Sequence, residues 1–241
     1  MKQPKQYKRI MSESRCEQCI VRQFNALRAL SKSDLQSVSE AKQLQKVSKG
    51  EALFEQGKRL KGIYCMRSGV TKLSRLSVSG KDQIVKIASR GEVLGRRSIL
   101  NDQPSTLRAE ALDDTEVCYI PFETVDKILK DNPDFAVELL RHMAHELDQA
   151  DEVIVSMSQL SARQRMAKIL LFLFQFGVDE DGFLKIALSR DDMASMAGIA
   201  TESLIRILSS FKKECLIDSK GRRLKILEPK ALKMIEEDMD S

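Results

Sequence analysis

The stretch "SRDDMASMAGIATESLIRILSSFKKECLI", residues 189–217, restricts the fold of this chain more than any other. Ser189 can cap a helix whose first turn holds Asp191 and Asp192, where the helix dipole favours negative charge. Ala194, Met196 and Ala197 are small or apolar, Gly198 breaks the helix, and Thr201 caps a second one. The next segment, "IDSKGRRLKIL", reads as strand, turn at Lys220-Gly221, strand. Two short helices joined by a glycine turn and followed by a basic hairpin make a winged helix-turn-helix.

The second helix, about 200–211, turns Leu204, Ile207, Leu208 and Phe211 inward. Glu202 and Arg206 are four apart and share the opposite face near its N-terminal end. That end of a recognition helix meets base edges in a major groove. Arginine can take guanine O6 and N7 together, and glutamate can accept from cytosine N4. The plain alternative is a solvated ion pair contributing only about 0.3–0.5 kcal/mol. A basic wing carrying Lys220, Arg222, Arg223 and Lys225 tips the balance toward DNA, with Arg222 and Arg223 expected to contact phosphates.

Upstream the texture differs. Across residues 44–122, short β-type runs alternate with Gly50, Gly57, Gly62, Gly69, Gly80, Gly91 and Gly95. This spacing predicts an all-β roll or barrel, with an unrelated β-sandwich as the alternative that periodicity leaves open. "FETVDKILKDNPDFAVELL" then has helical spacing, and Asn132-Pro133 signals a new helix start. That helix carries Leu140, Met143, Leu147, Ala150, Ile154 and Met157 at alternating steps of three and four. Such a narrow stripe between charged flanks fits a seam with a second helix, and hence a parallel homodimer. A core helix on its own domain is the alternative. After residue 161, "ARQRMAKILLFLFQFG" reads as a helix and "DEDGFLKIAL" as a turn plus strand.

With 241 residues the chain can bury cores in two domains. Its net charge of +5 permits a nucleic-acid partner without demanding one. No apolar run approaches the roughly 20 residues that span a bilayer. The start "MKQPKQYKRIMSESR" is basic but lacks a secretory apolar core, so the expected location is the cytoplasm. No Ser/His/Asp set, phosphate loop or paired carboxylates suggest an enzyme. Cys16, Cys19, Cys65, Cys118 and Cys215 are an odd, scattered set, which argues against a disulfide framework in a reducing compartment. The Cys16–Cys19 pair has three readings: metal ligand, redox disulfide, or neither. His142 and His145 flank Met143 rather than joining the cysteines, so a Cys/His zinc site finds little support.

From about residue 16 to 228 the chain resembles the Crp/Fnr family of bacterial transcription regulators. The resemblance rests on the glycines of the β-region, on "GEVLG", on "VCYIPFET" before the long helix, and above all on "LSRDDMASMAGIATESLIRIL". It implies an α+β chain: an N-terminal tail with CxxC (1–30), a cyclic-nucleotide-binding-type β-roll as sensor (31–132), a dimerisation helix (133–160) and a winged helix-turn-helix for DNA (161–241). It implies that Glu202 and Arg206 read a G·C pair in each half of a palindrome, that Thr201 sits at a discriminating position, and that Ser189 and Arg190 contact phosphate. Ile205 departs from the Gly or Ser expected there and can meet a thymine methyl. RNA polymerase is the implied protein partner. A cyclic-nucleotide-responsive regulator acting through protein partners is the alternative function.

Two ligand expectations follow from the resemblance. The family's cyclic-AMP binders follow "GE" with a ribose Glu and then an Arg-Ser pair for the phosphate. Here Arg96 takes the Glu position, and Gln103-Pro104, with Thr106 beyond, stands near the Arg-Ser position, so cyclic AMP is not expected to bind. Arg96 and Arg97 are read as surface arginines in preference to an anion site. Oxygen sensors of the Fnr branch hold an iron–sulfur cluster with three N-terminal cysteines and a distant one. Cys16, Cys19 and Cys118 match three of these positions, and the remaining one falls on Asn25. An incomplete cluster, a thiol switch or other metal, and no prosthetic group are the alternatives; Cys65 reads as a buried strand residue.

Overall fold

The computed structural model describes residues 15–77, 80 and 82–237; the basic start of the chain, residues 1–14, lies outside them. The described residues form two compact units, one of 15–76 with 85–147 and the other of 77, 80 and 82–84 with 148–237.

In the first unit three short 3₁₀ turns (Cys16–Gln18, Ile20–Phe24, Ala26–Ala29) lead to helix α1 (Lys32–Ala41). Ser31 and Asp34 close a reciprocal capping box at its start. Eight strands follow: β1 (Gln43–Val47), β2 (Ala52–Phe54), β3 (Gly62–Ser68), β4 (Thr71–Leu76), β5 (Asp82–Ala88), β6 (Val93–Leu94), β7 (Arg108–Ala111) and β8 (Thr115–Pro121). They make two four-stranded sheets, ordered β1-β8-β3-β6 and β2-β7-β4-β5. Helix α2 (Arg96–Leu100) interrupts the series after β6. The glycine-punctuated run is thus a β-roll, as its spacing predicts.

Strand periodicity sorts the side chains of β3 and β8 into two cores. Met66 and Val117 join Val47, Phe54 and Leu73 on one side. Ile63, Cys65 and Ile120 turn the other way, to Val21, Leu27, Val38 and Phe135 from the N-terminal turns and helices. Helix α3 (Phe122–Asp131) supplies Val125 and Ile128 to this second core.

Helix α4 (Pro133–Gln159) begins where Asn132 Oδ1 accepts the Phe135 N–H at 3.0 Å. Its 27 residues bury Phe135 and Leu139 near the start. Its stripe does not enter a core: Leu140, Leu147 and Ile154 are 65%, 64% and 66% exposed. Ala150 is exposed as well, and Met143 and Met157 are half-buried.

The second unit holds helices α5 (Ala162–Phe174), α6 (Arg190–Ala197) and α7 (Thr201–Lys213), the hairpin β9 (Ile217–Lys220) and β10 (Arg223–Ile226), and α8 (Pro229–Glu237). Met166, Leu170, Leu173, Leu204, Phe211 and Leu232 are buried here. Gly198 takes φ +62° between α6 and α7, a conformation that favours glycine, and an added Cβ would stand 2.8 Å from Met157 Sδ. Arg165 reinforces this corner, its Nε donating to Ala197 O at 2.8 Å and its guanidinium to Leu160 O at 2.5 Å.

Two local expectations need correction. "DEDGFLKIAL" forms one isolated bridge, Val178 to Leu184, and no strand. Asp179 Oδ1 accepts from the N–H groups of Asp181 and Phe183, which curls the segment into a side-chain-closed turn. Thr201 is not the cap of α7. Ala200 holds that position without a side-chain bond, and Thr201 Oγ1 donates to Asp191 Oδ1 at 2.8 Å.

Candidate nucleic-acid interface and thiol cluster

Helix α7 buries Leu204, Leu208 and Phe211, which fixes the rotation of the helix about its axis. Glu202, Ile205 and Arg206 therefore stand on the exposed face, with Ile205 50% exposed. The sequence allowed an ion pair between Glu202 and Arg206. Among the described residues neither makes one, so both polar ends are available to a ligand.

The flanking residues are more constrained. Ser189 caps α6, its Oγ donating to Asp192 Oδ2 at 2.7 Å and accepting from the Asp192 N–H at 2.9 Å. Arg190 Nη2 donates to Gly221 O at 3.2 Å, tying the start of α6 to the wing turn, and burial lowers the pKa of its guanidinium. Arg222 is exposed at the tip of the wing. Arg223 is engaged: its Nη2 lies 2.5 Å from Asp179 and 3.2 Å from Asp181, and its guanidinium stacks 4.3 Å over the Phe183 ring. Nothing in the local sequence near residue 223 signals these partners, which lie 40 or more residues upstream.

In the first unit Arg96 is not a surface arginine. It is 8% exposed, its Nη1 donates to Val93 O at 3.1 Å and its Nη2 meets Glu146 Oε2 at 2.7 Å. Lys86 reaches Glu146 Oε1 at 2.8 Å, and Arg97, 59% exposed, reaches the same carboxylate at 3.4 Å. Burial disfavours the Glu146 anion, but Arg96 and Lys86 outweigh it and hold its pKa down to about 2. The residues present do not fit a cyclic nucleotide: at the ribose position stands a buried cation already neutralised by α4.

The thiols lie in the same unit. Cys65 on β3 and Cys118 on β8 are direct antiparallel partners. Cys16, Cys19 and Cys118 pack, half-buried, on the core that contains Cys65. Burial first, then the neighbouring Cys118, Cys19 and Cys16, push the Cys65 thiol up to about 12. Burial also raises Cys118, against the pull of Lys42 and Arg67. Asn25 is 2% exposed and turns into the core, where Oδ1 accepts from the Leu27 N–H at 3.0 Å and Nδ2 donates to Gly91 O at 2.8 Å. Gly91 cannot be replaced there, since at φ +97° an added Cβ would stand 2.6 Å from Phe24 Cβ. Four of the five cysteines thus converge, including the one the sequence assigned to the core. Among the described residues no three His, Cys, Asp or Glu side chains are set to hold a single metal ion.

Comparison with known proteins places this architecture. The family model for the cyclic nucleotide-binding domain matches residues 44–132, and that for the Crp-like helix-turn-helix domain matches residues 164–235, together more than half of the chain. The chain is 28% identical over 225 residues to the transcriptional activator protein Anr of Pseudomonas protegens, covering 92% of each. It is 28% identical over 217 residues to the fumarate and nitrate reduction regulatory protein of Vibrio cholerae, covering 88% of this chain and 86% of that one. A crystal structure of a CRP/FNR family transcriptional regulator from Thermus thermophilus shares the fold, with a TM-score of 0.71 at 20% identity over 81% of this chain and 99% of that one. The matched helix-turn-helix model and these relatives make it a DNA-binding transcription regulator. The chain belongs to the Crp/Fnr family.

Proposed function

We propose that this regulator binds, as a homodimer, to a palindromic DNA site and responds to oxygen or redox state through Cys16, Cys19 and Cys118. The observation that carries the DNA reading is the unpaired, exposed state of Glu202 and Arg206 on the outer face of α7. Arg206 takes a guanine edge bidentately and Glu202 accepts from the paired or adjacent cytosine. Ile205, exposed between them in sequence, offers an apolar surface for a thymine methyl. Thr201 stands at the N-terminal end of the same helix, positioned by Asp191. Arg190 and Arg222 contact phosphates and Ser189 holds the helix end that presents its N–H groups to the backbone. Arg223 is paired with Asp179 and Asp181 and reaches a phosphate only by leaving them.

The exposed stripe Leu140, Met143, Leu147, Ala150, Ile154 and Met157 supports pairing of α4 with its symmetry mate. In this reading residues 31–132 sense, 133–160 dimerise and 161–241 bind DNA, with 1–30 contributing the CxxC pair. RNA polymerase is the protein partner and the cytoplasm the location; among the described residues no helix is long and apolar enough to cross a membrane. Selection from random duplexes with the purified protein tests the reading. The expected product is a palindrome with half-site centres one helical turn, about 10–11 bp, apart. Recovery of unrelated sequences with no shared motif contradicts it.

A further inference from the structure

The wing is basic in sequence, but one of its faces is covered. Leu224 and Ile226 of β10 are buried, so Arg223 and Lys225 share the opposite face of that strand. Both are held by one turn, residues 179–183. Arg223 Nη2 donates to Asp179 Oδ2 at 2.5 Å and to Asp181 Oδ2 at 3.2 Å, and its guanidinium stacks on Phe183. Lys225 Nζ donates to Asp181 O at 3.0 Å.

The backbone fixes this turn beside β10 without help from the ion pairs. The Asp179 N–H donates to Phe183 O at 2.8 Å, while Asp179 Oδ1 accepts from the N–H groups of Asp181 and Phe183. The next N–H, that of buried Leu184, donates to Leu224 O on β10 itself at 2.8 Å. The two carboxylates are therefore in place before Arg223 chooses a partner.

We propose that Asp179 and Asp181 stand in for DNA phosphate at Arg223 and so hold down the sequence-independent part of DNA affinity. This rests on the DNA reading of α7 and the wing given above. Carboxylate and phosphate offer a guanidinium the same paired oxygens, and donors committed to one are closed to the other. Arg223 adjoins Arg222 at the wing tip, which Arg190 ties to the start of α6 through Gly221 O. It thus sits one residue from a proposed phosphate contact and is turned away from it by the acidic turn. Phosphate contacts carry no sequence information. Withholding one weakens every duplex alike and leaves the base contacts proposed for Glu202 and Arg206 unchanged.

The test is binding of the full chain to a random-sequence duplex by fluorescence anisotropy across a series of salt concentrations. Asn keeps the Oδ1 acceptor that closes the turn, so Asp179→Asn with Asp181→Asn removes charge and spares the fold. This double variant is expected to bind more tightly than wild type, with a salt slope steeper by about 0.9 unit per released arginine. Adding Arg223→Ala to it is expected to abolish the gain. Asp181→Asn alone, whose side chain closes no turn, is expected to shift the slope in the same direction and serves if the double variant does not fold. An unchanged slope in the folded variants overturns the proposal. A gain that persists with Arg223→Ala also overturns it, since the carboxylates then act by general repulsion. Either result leaves the DNA reading standing, whereas a wild type that binds no duplex defeats both.

Discussion

Arg96 of α2 and Glu146 of α4 form an ion pair 2.7 Å long, in which the arginine is almost wholly buried. Removing the carboxylate leaves a buried cation with Val93 O as its remaining acceptor. Glu146→Gln is expected to destabilise the protein by about 3 kcal/mol. The pH dependence has a definite sign. The Glu146 pKa falls from 4.5 to about 2 on folding, so its contribution is complete above 4.5 and is lost as pH falls toward 2. Melting temperatures of wild type and Glu146→Gln should therefore converge over that interval. A constant difference from pH 7 to pH 2 contradicts the ion-pair account.

Cyclic AMP should not bind at micromolar concentrations. The guanidinium of Arg96 faces Glu146 rather than a ligand, and Gln103 and Thr106 offer no cation for the phosphate. Calorimetric titration is expected to give no heat beyond dilution. Micromolar binding would require Arg96 to leave its partner.

The seam on α4 should break with a single charge. Leu147 and Ile154 are both nearly two-thirds exposed in the single chain, so Leu147→Glu and Ile154→Glu leave the folded unit intact and place like charges opposite each other in the pair. Sedimentation is expected to show monomers for both. Intact dimers for both remove the stripe from the interface.

The two wing arginines should behave differently. Arg222 is exposed, so Arg222→Ala is expected to weaken all duplexes alike and to make the salt slope shallower by about one unit. Arg223 is held by Asp179 and Asp181 and stacked on Phe183. Arg223→Ala should lower the melting temperature and change the salt slope less. Equal slope changes mean that Arg223 leaves its carboxylates when DNA arrives.

What the residues disclosed in advance was local. The glycine-spaced strands of the roll, the helix start at Asn132-Pro133 and the Ser189 cap all depend on neighbours within a few positions, and each forms as its residue types demand. What stayed hidden was long-range pairing. Cys65 joins the other thiols through the β3–β8 register, which sets it against Cys118, about fifty positions further along the chain. Arg96 reads as a surface residue until α4 folds Glu146 against it. Arg223 reads as a free wing cation until the Asp179 turn closes behind it. Thr201 has the composition of a cap, but Asp191 of the preceding helix captures its hydroxyl.

Arg206 is expected to read a base. Selection from random duplexes with wild type and Arg206→Ala tests it most directly, with Glu202→Ala in parallel. A bidentate contact to guanine discriminates by about 1–3 kcal/mol. Arg206→Ala is therefore expected to flatten the preference at one G·C pair in each half-site while the spacing of the palindrome persists. Glu202→Ala is expected to relax the same or the adjacent pair. Recovery of one motif, with equal information at every position, from wild type and Arg206→Ala would show that α7 does not present Arg206 to the bases.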